Sequence, residues 1–140
     1  MTLKLDDRQY LSLALPSVTV SGAITGQTAI NATGYGRARF VFTFGTPLAS
    51  ASLASLGIWN SSTSTAYVSI SSAQLLPMTT ASMSNNIAVI DTIVNSAYPW
   101  LYVSGAMATS NQTVSATVEL YNGTRLNPPT STLSQSIVTV

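Results

Sequence analysis

"RARFVFTF", residues Arg37 to Phe44, reads as a β-strand. Ala38, Phe40, Phe42 and Phe44 fall on one face and Arg37, Arg39, Val41 and Thr43 on the other, because successive side chains of a strand point to opposite sides. A face of three phenylalanines has to be buried, and burying it needs a second layer. The two-residue period recurs along the chain in "SVTVSGAI", "SLASLGIW", "AYVSISS", "IAVIDTIV", "WLYVSGAMA", "TVSATVELY" and "QSIVTV". Between these runs lie turn-formers such as "NATGYG", "NSSTST", "LLPMTT" and "NGTRLNPP". Eight short strands separated by turns predict an all-β domain, an antiparallel sandwich or barrel. One stretch, "PLASASLASLG", also has a helical reading, since alanine and leucine favour helix.

At 140 residues the chain has the size of one domain, enough to bury roughly 68% of the surface its unfolded form exposes. The expected divisions are an N-terminal arm over residues 1–16, a sandwich over 17–125 and a C-terminal arm or closing strand over 126–140. Pro128 and Pro129 interrupt the pattern before the final β-forming run. Each terminal segment has two readings: a strand of the same sandwich, or an arm that adds to a neighbour's sheet edge.

Charge is the unusual feature. An ordinary domain is about 25% charged, whereas this chain has five Lys or Arg and four Asp or Glu. Serine and threonine must therefore supply the surface polarity. A net charge of +1 offers no footprint for nucleic acid and little self-repulsion to oppose association. No apolar run approaches the ~18 residues of a membrane span. Asp6 and Asp7 stand where a signal peptide needs positive charge, which predicts a mature, soluble chain.

With neither histidine nor cysteine, Ser-His-Asp and Cys-His catalysis and the usual zinc sites are excluded. Carboxylates remain. Asp91 and Glu119 lie in different strands, and a glycosidase-like pair would need them to meet across a cleft. A calcium site at Asp6 and Asp7 would need further convergent carboxylates. We therefore expect no enzyme activity, no metal and no cofactor. The four Asn-x-Ser/Thr triplets, at Asn31, Asn60, Asn111 and Asn122, are read as products of composition.

Three features suggest a contact surface instead. Arg37 and Arg39 stand on the outer face of their strand, either solvated or placed to reach carboxylates on another chain. In "YPWLYV", Tyr98, Trp100 and Tyr102 share one face, with Pro99, Leu101 and Val103 on the other. The aromatic row suits core, a protein interface or a sugar platform. Pro99, which cannot donate to a ladder, should begin a strand or lie on an edge. Arg125, Ile137 and Val138 near the C-terminus complete the candidate interface.

From about Gly34 to Tyr121 the order of segments "GYGRARFVFTFG", "LGIWNSSTSTAYVSISSAQ", "VIDTIVNSAYPWLYVSGA" and "VSATVELYNG" resembles the small jelly-roll-like decoration, or cement, proteins of tailed-bacteriophage heads. The resemblance implies a jelly-roll-like sandwich on the outside of a capsid, commonly a homotrimer, whose partner is the major capsid protein and which carries out no catalysis. On this expectation Arg37 and Arg39 make ionic contacts to a neighbouring copy or to the shell, and replacing both with alanine weakens assembly without unfolding the domain. The alternative expectation is a carbohydrate-binding or adhesive sandwich module of a phage fibre or secreted protein, with Trp59 or Trp100 exposed.

Overall fold

Phe40 and Phe42 are fully buried, with ring centroids 6.5 Å apart, and the rest of the molecule is organised around the face they define. The computed structural model describes residues 10–24, 27–45, 52–65, 68–69, 78–79, 86–109, 111–121 and 136–139. Its strands are β1 (Tyr10–Val20), β2 (Ile30–Asn31), β3 (Arg37–Phe44), β4 (Ser52–Ser61), β5 (Val68–Ser69), β6 (Met78–Thr79), β7 (Asn86–Ile93), β8 (Trp100–Thr109), β9 (Gln112–Tyr121) and β10 (Ser136–Thr139).

The strands form two antiparallel sheets. One has the order β1-β9-β3-β7-β10, and the other β2-β8-β4-β5, with β6 also paired to β4. With the short β6 and the terminal β10 set aside, eight strands remain. The first pairs with the last (β1 and β9), the second with the seventh (β2 and β8), the third with the sixth (β3 and β7) and the fourth with the fifth (β4 and β5). Successive pairs alternate between the sheets. This wiring is that of a jelly roll, and it makes β3 the middle strand of its sheet.

The core between the sheets follows from alternation. β3 contributes Ala38, Phe40, Phe42 and Phe44. β9 contributes Val114, Ala116, Val118 and Leu120. From the second sheet come Leu56, Ile58, Leu101 and Val103. The helical reading of "PLASASLASLG" gives way to strand β4 from Ser52 onward. Leu56 and Ile58 alternate into the core there, and β8 supplies the pairing that an isolated window cannot reveal. At Gly105 of β8 the sheets leave no room for a side chain, since a Cβ would lie 2.5 Å from the Ser55 carbonyl oxygen.

The described part of the N-terminal arm is not separate from the sandwich. β1 begins at Tyr10 and pairs with β9 from Tyr10↔Leu120 to Val20↔Gln112, so the boundary expected at residue 16 falls inside a strand. Pro16 is tolerated because the register shifts between Leu13 and Leu15 and again between Leu15 and Val18, and a bulged edge strand can spare a missing N–H. At the opposite edge β10 pairs with β7, Ile137 facing Ala88 and Val138 facing Ile87 in register. Both terminal strands thus border the same sheet.

Candidate functional site

The outer face of β3 answers the question of its two arginines. Antiparallel pairing sets Arg39 between Asp91 of β7 and Glu119 of β9, and sets Arg37 between Ile93 and Tyr121. Asp91 is the hub, with a side chain only 1% exposed. Arg37 donates from Nε to Asp91 Oδ1 at 3.0 Å, with Nη2 equally close. Arg39 donates from Nη2 to Oδ2 at 3.2 Å. The Tyr121 hydroxyl donates to Oδ2 and accepts from Arg37 Nε at 3.1 Å. Arg39 also approaches Glu119 Oε2 at 3.7 Å and lies over the Tyr121 ring, 5.3 Å from its centroid.

Two guanidiniums and two carboxylates balance, and Tyr121, which belongs to an outward-facing position, is sealed beneath Arg39 at 2% exposure. Burial works against the charge on both arginines. For Arg37 it is outweighed by the hydrogen bond to Tyr121 and the attraction of Asp91, and for Arg39 by attraction to Tyr121 and the bond to Asp91, so both are held more firmly protonated than usual. The Tyr121 hydroxyl is pushed up, mainly by burial and then by its bond to Asp91.

Chemically this is a closed ionic hub. A carboxylate so enclosed is not placed to meet an attacking water, and Arg39 stands between Asp91 and Glu119, so the two acids do not frame a cleft of the glycosidase kind. The carboxylates anticipated on another chain are supplied within the sheet. This changes the expected result of replacing both arginines: the buried Asp91 would be left without its partners, and the domain itself would lose stability.

Every charge among the described residues belongs to this hub; Lys4, Asp6, Asp7, Arg8 and Arg125 lie outside them. Elsewhere polarity comes from hydroxyls, some paired across strands as Thr43 is with Ser115 and Thr19 with Thr113. Among the described residues no group of acidic side chains could hold a metal ion.

The aromatic row of "YPWLYV" is turned outward. Leu101 and Val103 are in the core, while Trp100 and Tyr102 are half-buried on the outer face and Tyr98 is 45% exposed in the preceding turn. Pro99 directly precedes β8, a strand flanked by β2 and β4, so it begins a strand and does not mark an edge. Trp59 of β4 stands opposite Tyr102 in register and is half-buried on the same face.

Large exposed apolar side chains gather at the start of β1. Tyr10, Leu11 and Leu13 are 50%, 73% and 49% exposed, and Ile93 on the same sheet is 70% exposed. Sequence reasoning missed this patch by treating the segment as an arm. It missed the hub because it could not pair β3 with β7 and β9, although a carboxylate inside the apolar run "IAVIDTIV" was a usable signal: a buried acid requires a partner.

In comparisons with known proteins, no family model matches the chain, and no curated protein or solved structure matches it.

Proposed function

We propose that this protein is a structural component of a tailed-phage virion, a decoration protein that binds the outer surface of the head, associates as a homotrimer and stabilises the lattice of the major capsid protein. The observation that carries the reading is an outer sheet face, bordered by both terminal strands, on which the described charges neutralise one another in the hub and large apolar side chains stand exposed. Such a face presents Leu11, Leu13 and Ile93 to a neighbour without the repulsion that keeps ordinary domains apart.

The jelly roll supports this reading as an architecture found in viral capsid proteins, an analogy of fold alone. A protein that binds the assembled shell and not its separated subunits favours the shell by its binding free energy. It needs no catalytic group to do so. Arg37 and Arg39 act in this account as the internal brace of the contact face, and Ile137 and Val138 belong to β10 at its border.

The reading is tested by adding the purified protein to heads stripped of surface proteins. Saturable binding that raises the temperature at which the shells release DNA is expected. Heads that neither bind the protein nor gain stability would overturn it.

A further inference from the structure

A cleft of about 330 Å³ opens at the edge of the sandwich where β1 lies beside β2. Tyr10 and Ser12 line one side, Thr28 and Asn31 the other, with Ile30 and Tyr35 contributing apolar wall. The loop that shapes it is fixed locally. Asn31 Oδ1 accepts hydrogen bonds from the Thr33 N–H at 3.0 Å and the Thr33 hydroxyl at 2.6 Å, Tyr35 N donates to Ala32 O at 3.1 Å, and Gly34 closes the turn at φ +88°. Thr28 N donates to Ala14 O at 3.0 Å, tying the loop to β1.

Asn31 belongs to two surfaces. It lines the cleft, and in the β2–β8 register it stands opposite Trp100. Beyond Trp100 on the same face come Tyr102, two residues along the strand, and Trp59, directly across from Tyr102. Cross-strand neighbours of this kind have Cβ atoms about 5 Å apart, and alternate residues of a strand lie about 7 Å apart. The steps between rings are therefore comparable to the repeat of pyranose units in an extended glycan. None of β2, β4, β5, β6 and β8 contains a charged residue, and neither do the described residues that line the cleft.

We infer that the cleft and the Trp100, Tyr102 and Trp59 ledge together form a binding site for a neutral oligosaccharide, with a terminal sugar in the cleft and the following units stacked on the rings. Sugar C–H faces pack on aromatic surface, and sugar hydroxyls exchange hydrogen bonds with the hydroxyls of Tyr10, Ser12 and Thr28 and with the Asn31 amide nitrogen. Among the described residues the site offers an anionic glycan no counter-ion to offset the desolvation of its charge. This inference goes beyond the capsid reading and stands independently of it.

The chain's two tryptophans are Trp59 and Trp100, so intrinsic fluorescence reports on this face alone. Purified protein is titrated with cellohexaose, maltohexaose, mannohexaose and galactohexaose, and with oligogalacturonate as the anionic control. A saturable change with at least one neutral hexasaccharide and none with the oligogalacturonate is expected. Trp100→Ala and Tyr10→Ala should each weaken binding at least tenfold, and Trp100→Phe should restore most of it. Tyr10 is half exposed, so its variant keeps the test valid even if Trp100→Ala lowers the melting temperature. No saturable change with any neutral hexasaccharide, tighter binding of the anionic control, or undiminished binding in both alanine variants would overturn the inference, whatever the result with phage heads.

Discussion

Arg37 and Asp91, separated by 54 positions in the chain, meet with Nε 3.0 Å from Oδ1 on the outer face of the five-stranded sheet. The carboxylate, on β7, is buried, and its partners come from the middle strand β3 and from β9 on that strand's other side. The contact therefore joins β3, β7 and β9 on the side away from the phenylalanine core.

Removing both arginines should destabilise the fold. Breaking a buried ion pair costs about 3 kcal/mol or more because the remaining charge is stranded, which for a domain of this size is a fall of roughly 10 °C in melting temperature. Arg37→Ala with Arg39→Ala, followed by circular dichroism on heating, should show this fall, and adding Asp91→Ala should recover part of it. An unchanged melting temperature in the double variant would remove the hub from the account of stability.

Tyr121 sets an alkaline limit. Its ordinary value is 10.0, and in the folded protein it is raised, first by burial and then by its bond to Asp91. The folded state thus holds this proton more tightly than the unfolded state, so the stabilisation is complete below pH 10 and is lost as pH rises through the folded value. Tyr121→Phe should cost about 2 kcal/mol at neutral pH and flatten the decline above pH 10. Denaturant unfolding at a series of pH values measures both effects.

Gly105 is a steric requirement of the interior. A Cβ there would meet the Ser55 carbonyl oxygen at 2.5 Å, Ile24 Cδ1 at 2.9 Å and Leu56 Cδ1 at 3.1 Å, and one of these neighbours is backbone. Gly105→Ala should cost about 3 kcal/mol through overpacking, visible as a lower denaturant midpoint, whereas alanine at Gly22, where nothing lies within 4 Å, should leave the midpoint near that of the native chain.

Association should depend on the start of β1. Leu11→Glu with Leu13→Glu places two carboxylates on residues that are already exposed, so the fold should persist while the native mass, that of a trimer on the reading proposed above, falls to that of a monomer. A variant that remains trimeric would locate the subunit contact elsewhere.

Much of the fold was legible because alternation is a local property. "RARFVFTF" and "TVSATVELY" assigned their own inward and outward faces, and Pro99 marked the start of β8. Pairing was not legible. Nothing within Arg39 says that Asp91 and Glu119 lie on either side of it, since register is decided by long-range packing. For the same reason Tyr121, outward by its parity, could not be seen to lie buried under a guanidinium. The arm expected over residues 1–16 carried two readings, and the choice between them rests on the pairing of β1 with β9, where the bulges accommodate Pro16 within the sheet.

Immunogold electron microscopy of particles purified from the source culture, with antibody against this chain, tests the central claim most directly. Decoration of a head surface predicts gold spread over icosahedral heads. Label confined to tails or fibres, or particles without label, would contradict it.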